Sequence, residues 1–97
     1  MKKVVIKKSD KSGKKMMAVF TDDNSRSKTI HFGSAGMSDY TIHKDKERRQ
    51  RYLDRHRKNE DWSNPKTAGA LSRWILWGDT TSLNKNIASF KKRFGYK

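Results

Sequence analysis

The sequence predicts an α+β domain: a three-stranded antiparallel β-meander followed by three α-helices packed on one of its faces (βββααα). Two observations predict it. Within residues 1–35, three short stretches rich in β-branched and aromatic residues alternate with Asp/Asn/Ser/Gly turn chemistry, the signature of hairpin-connected strands. Within residues 40–95 the apolar residues recur instead at helical spacing. One domain spanning residues 1–97 accommodates both parts, because a chain of this length hides roughly two-thirds of its surface on folding and has room for one core.

The first strand is expected over 3–8 (KVVIKK) and is followed by Ser9-Asp10-Lys11-Ser12-Gly13. The second is expected over 16–21 (MMAVFT) and is followed by Asp22-Asp23-Asn24-Ser25. The third, over 28–32 (KTIHF), is ended by Gly33. On it Ile30 and Phe32 face one way, Thr29 and His31 the other. Gly33-Ser34-Ala35-Gly36 then forms a small-residue connector, a place where backbone N–H groups can approach a phosphate or simply join strand to helix. A helix over 45–58 places Arg49, Tyr52, Leu53 and His56 on one face. Asp45/Arg49 and Asp54/Lys58 are i,i+4 pairs with the acid on the favourable side. Asn64-Pro65 breaks the chain. Over 67–77, Ala68, Leu71, Trp74 and Ile75 mark the inward face of a central helix ended by Gly78. Thr81 or Ser82 caps a last helix whose stripe is Leu83, Ile87, Phe90 and Phe94, stopped by Gly95.

Charge is the strongest functional signal. Twenty-four lysines and arginines face ten acids, a net charge of +14 on 97 residues. Such an excess repels itself and suits a polyanionic partner, nucleic acid above all. Residues 1–15 contribute +6 and residues 85–97 contribute +5, together +11 of the +14. From the basic segments, Lys2, Lys3, Lys7, Lys8, Lys14 and Lys15 at the N-terminus and Lys91, Lys92 and Arg93 near the C-terminus are candidate phosphate ligands. The middle helix mixes seven cations with Asp45, Glu47 and Asp54. Its candidates are Arg48, Arg51, Arg55 and Arg57, because guanidinium grips phosphate bidentately at modest desolvation cost.

Chemistry beyond binding finds little support. There is no cysteine, so disulfides and thiolate metal sites are excluded, and the spacing of His31, His43 and His56 matches no metal signature. His56 reads instead as a half-buried partner of the helix aromatics. Asp39, His43, Asp45 and Glu47 crowd together as a nuclease would need, but carboxylates also suit helix starts. No P-loop, dinucleotide fingerprint or nucleophile elbow is present. No catalytic residue, cofactor or metal is therefore assigned. Trp74 shares a stripe with Leu71 and Ile75, which favours a core role over base stacking. The apolar run after Met1 is too short for a signal peptide or a membrane span, so a soluble, intracellular protein without a membrane partner is expected.

Phe32–Thr41 (FGSAGMSDYT), then Arg51-Tyr52-Leu53-Asp54-Arg55-His56, Asn59-Glu60-Asp61-Trp62 and 67–77 (TAGALSRWILW) carry a resemblance. Over about residues 28–95 the chain resembles a group of small basic proteins of formally unknown function found in giant viruses of eukaryotes, of the marseillevirus-like, mimivirus-like and chlorella-virus lineages. The resemblance implies a virion-associated, genome-bound protein located in the virion interior and in the viral factory of the host cytoplasm or nucleus. It identifies no catalytic residue, and it leaves the lysine-rich N-terminus outside. Residues and resemblance together lead to an expectation of sequence-nonspecific double-stranded DNA binding that compacts or organises a viral genome, the protein acting alone or as a homodimer. RNA binding, or an internal virion structural role with incidental DNA affinity, are the rival expectations.

Overall fold

The computed structural model describes residues 2–97; Met1, with which the expected domain begins, lies outside the described residues. Three antiparallel strands, β1 (Lys3–Lys8), β2 (Lys14–Thr21) and β3 (Ser27–Ser34), form a sheet in the order β1-β2-β3. Helices follow: α1 (Tyr40–His43), α2 (Lys46–His56), α3 (Ala68–Leu71), which continues as a π-turn over Ser72–Leu76, and α4 (Leu83–Phe94). The architecture is the predicted α+β meander-then-helices, with the short α1 as an unpredicted addition.

Register explains the two faces of the sheet. Val4 pairs with Phe20, Ile6 with Ala18, Ala18 with Ile30 and Met16 with Phe32. These residues share one face, and Val4, Ala18, Phe20 and Phe32 are at most 3% exposed. The core they form is closed by Leu71, Ile75, Leu76 and Phe90 from the helices, with Ile6, Ile30, Trp74, Leu83, Ile87 and Phe94 packed around it. The alternate residues, Lys3, Val5 and Lys7 on β1, Met17 and Val19 on β2, and Thr29 and His31 on β3, are paired across the other face. The core assembles on the first face alone.

β3 runs past its expected end at Gly33. The backbone there has φ +77°, and a Cβ would lie 2.7 Å from Leu76 Cδ1 and 3.2 Å from Lys15 Cβ. Glycine allows the strand to continue while Leu76 and Lys15 close over it.

The central helix departs from the periodicity read in the sequence. Trp77 N–H donates to Ser72 C=O at 2.9 Å, a five-residue step. Pairs spaced by five, Ala70/Ile75 and Leu71/Leu76, are therefore the buried ones. Ala68, expected inside, is exposed, and Trp74 is half-buried. Gly78 ends the helix by close packing and not by a left-handed cap, since a Cβ would meet Trp74 C=O and lie 2.7 Å from Asn86 Cγ. Asn86 is 1% exposed and explains the closeness. Its amide donates to Ile75 O (2.9 Å) and Thr80 O (2.8 Å), and its carbonyl accepts from Thr80 Oγ1 (2.7 Å) and Thr80 N (3.2 Å). α4 starts and stops as its sequence predicts: Ser82 accepts from Lys85 N–H, and Gly95 at φ +73° forms the left-handed C-cap.

Candidate nucleic-acid interface

α2 begins at Asp45, whose side chain accepts from the Glu47 and Arg48 amides. Those donors, Arg48's first, hold the Asp45 carboxyl below its ordinary range. The i,i+4 pair expected between Asp45 and Arg49 is not formed. Arg49 instead reaches Gly78 O (2.8 Å), Trp77 O (3.3 Å) and Asp79 Oδ1 (3.0 Å), and its guanidinium lies 5.5 Å from the Tyr40 ring centroid. It anchors α2 to the end of the π-turn. Asp54, expected to pair with Lys58, accepts from the Gln50 amide.

This anchoring leaves a cleft of about 880 Å³ between the end of the sheet, the 37–39 connection, α2 and α3. Lys14, Arg48, Arg51 and Arg55 line it, and Asp54 and Glu60 temper their charge. Under the rim lies an aromatic stack. Tyr52 stacks on Trp77 at 4.1 Å and 3°, and His56 stacks on the same tyrosine at 4.1 Å. Burial raises the Tyr52 hydroxyl to about 12. His56 Nδ1 meets Glu60, whose other oxygen accepts from Trp62 Nε1 at 3.1 Å. His56 is thus the half-buried aromatic partner expected from the sequence.

Of the carboxylates that crowd at 39–47, Asp39 and Asp45 serve as helix caps. Asp39, 2% exposed, caps α1 through Thr41 and pairs with Lys15 Nζ at 2.6 Å. Lys15 also donates to Met37 O at 2.5 Å. Lys15, a candidate phosphate ligand, is therefore committed to an ion pair within the fold. His43 accepts from Asp45 N–H, and burial, with Arg48 nearby, lowers its pKa. Among the described residues no three His, Cys, Asp or Glu side chains gather as a metal site, and no helix is long and apolar enough to cross a membrane.

The two basic terminal segments meet at the edge of β1. Val4 N–H donates to Lys97 O at 3.1 Å and Lys97 N–H to Lys2 O at 3.2 Å, while Lys2 Nζ sits 5.3 Å from the Tyr96 ring centroid. Lys2, Lys3, Lys7 and Lys8 are exposed along this strand and Lys14 at the start of β2. Arg57, beyond α2, is exposed and outside the cleft lining. On α4, Lys91 is half-buried and Lys92 and Arg93 are exposed. Arg93 lies 3.9 Å from the Trp74 ring centroid and Arg73 4.3 Å from it. Trp74 Nε1 donates to Trp62 O at 2.9 Å. Its stripe hid this double cation–π contact, because both arginines are invisible to an apolar period; cations three and one residues from Trp-rich or aromatic positions were the available signal.

Together these features define a small α+β domain whose exposed charged side chains are mostly cationic. The chain belongs to the family of unknown function DUF5754, which it matches over residues 4–56. No curated protein and no solved structure matches it. The matched segment contains the sheet, α1, α2 and the candidates Lys7, Lys8, Lys14, Lys15, Arg48, Arg51 and Arg55. The match takes in the lysine-rich strands from Val4 onward and ends before the Leu71–Trp77 element, so it overlaps the resemblance over residues 28–56.

Proposed function

We propose that the protein is a sequence-nonspecific double-stranded DNA-binding protein that compacts or organises a viral genome, held mainly through phosphate contacts. One observation carries the binding reading: the positive charge is not consumed within the fold. Among the described residues, ion pairs with Asp or Glu engage Lys15 and Arg49, two of the 24 lysines and arginines. The three strands hold six lysines and no acid, and α4 holds four cations and no acid. Cations left in water can displace condensed counterions from a duplex. The viral assignment rests on the resemblance over residues 28–95, and membership of DUF5754 leaves it open.

Binding to two unrelated duplexes, measured across a salt series, tests the proposal. Equal affinities are expected, with a log–log salt slope near about −5 for roughly six phosphate contacts. A large preference for structured RNA, or tight binding persisting at about half-molar salt, would contradict it.

A further inference from the structure

Among the described residues, no helix packs on the face of the sheet turned away from the core, and Ser9 Oγ meets His31 Nδ1 at 2.6 Å at one corner of it. Its register rows are Lys3–Thr21–Ser27, Val5–Val19–Thr29 and Lys7–Met17–His31. Val5, between Lys3 and Lys7 on the edge strand β1, is 46% exposed, one of the few large apolar side chains so placed. Val5, Val19 and Met17 therefore form an apolar patch that runs from β1 onto β2, with Lys3 and Lys7 beside Val5 on the β1 margin and Ser27, Thr29 and His31 on the β3 margin. None of the three strands carries an acid. Asp10, Asp22 and Asp23 lie in the flanking turns, and the Asp22 carboxylate is occupied by the Asn24 and Arg26 amides.

We infer that this open face is the surface that enters the DNA minor groove, with Val5, Met17 and Val19 against the groove floor and Lys3 and Lys7 on the phosphates at its rim. The inference rests on the duplex-binding reading above and specifies where the duplex sits. Charge complementarity selects the partner: a row of lysines without acids matches an anionic rim. The apolar patch selects the groove. The bidentate readers of the major groove are Arg, Lys, Asn and Gln; of these the face holds Lys3 and Lys7, both on its β1 margin and not at the apolar patch. Minor-groove architectural proteins instead press apolar side chains between or against base steps and bend the duplex. Lys3 and Lys7, four residues apart on one strand, stand about 13 Å apart, which lets them address separate phosphates while the valines lie between. A second copy of the chain fits the face less well, because it would bring the same lysines together.

The test uses the full chain and a 20-base-pair A·T-rich duplex whose ends carry a fluorescence donor and acceptor, so length and bending are read together with affinity. Val5→Asp places an acid in the apolar patch at an exposed position, and far-UV circular dichroism verifies its fold. Expected are a loss of affinity of at least about tenfold in this variant, displacement of the wild type by the minor-groove ligand netropsin, and increased energy transfer on binding. Unchanged affinity of a folded Val5→Asp variant, or displacement by the major-groove ligand methyl green but not by netropsin, overturns the inference and leaves duplex binding intact. So does a dimer, seen by sedimentation, that Val5→Asp dissociates with affinity unchanged, since the face would then be a self-association surface. If the wild type binds no duplex, the functional reading itself falls, and this one with it.

Discussion

Neutralising the arginine row of α2 is the perturbation that separates phosphate binding from fold most cleanly. Arg48, Arg51 and Arg55 are exposed, line the cleft opposite Lys14, and leave the helix anchor to Arg49. Glutamine keeps helix propensity while removing the charge, and the Asp45 cap uses backbone amides that the change does not touch. Each phosphate neutralised on B-DNA contributes about 0.9 to the log–log salt slope, so three lost contacts flatten it by about 2.7. Taking electrostatic binding to vanish near ~1 M salt, the triple variant binds about 500-fold more weakly at ~0.1 M, and the deficit shrinks as salt rises. Fluorescence anisotropy of a labelled duplex measures slope and affinity together, with circular dichroism and thermal melting to show that the domain is folded. A folded triple variant whose slope stays within about half a unit of wild type would refute the assignment of this row to phosphate.

Lys14 and Lys15 are neighbours in sequence with different duties, so Lys15→Met is expected to destabilise the fold by about 3 kcal/mol by stranding the buried Asp39 carboxylate, with little effect on the salt slope, whereas Lys14→Met does the reverse; chemical denaturation and anisotropy compare them. Asn86→Ala removes four hydrogen bonds from a site 1% exposed, and at about 1 kcal/mol each costs about 4 kcal/mol in urea unfolding. Burial holds the Tyr52 hydroxyl protonated up to about pH 12, above its ordinary value of 10.0. Between those values the unfolded chain releases the proton and the folded one keeps it, so stability is full below the unfolded value and is lost as pH rises through the folded one. Tyr52→Phe should show a shallower alkaline decline than wild type in denaturation curves collected from pH 9 to 12.

Local chemistry made much of the fold legible. Strand patterning located the three strands and grouped Ile30 with Phe32 on one face, and Ser82, one of two cap candidates, and Gly95 marked the ends of α4, because caps and strand faces depend on residues close in sequence. Partner choice over long distances was not legible. Arg49 bypasses Asp45, four residues away, for a carbonyl cluster 28 and 29 residues on, and Lys15 crosses to Asp39. The π-turn replaces the expected four-residue step by five because Gly78 and Asn86 lock the end of the helix against α4. The step within Ser72–Leu76 breaks the fixed period over that stretch and lets Leu76 join Ile75 in the core, which no helical period read from one segment can foresee. The candidate binding residues were legible as a composition, but their separation into fold-holding and solvent-facing cations required the contacts.

That separation explains how the chain tolerates its charge. The cations set into the fold each meet a neutralising or polarisable partner: Lys15 the Asp39 carboxylate, Arg49 the Asp79 carboxylate and Tyr40 ring, Arg73 the Trp62 and Trp74 rings and the Trp77 carbonyl. Each sits at a seam between elements. The lysines of β1 and the row on α2 are exposed, where water and salt screen their mutual repulsion at little cost to packing. The core of Val4, Phe20, Phe32, Leu71, Ile75 and Phe90 is independent of them. Binding charge and folding energy thus reside in different side chains, so a polyanion that neutralises the exposed set should raise stability as well as bind. The same neutralisation by salt competes with the polyanion, which ties the predicted steep salt dependence to the architecture and not only to the net charge.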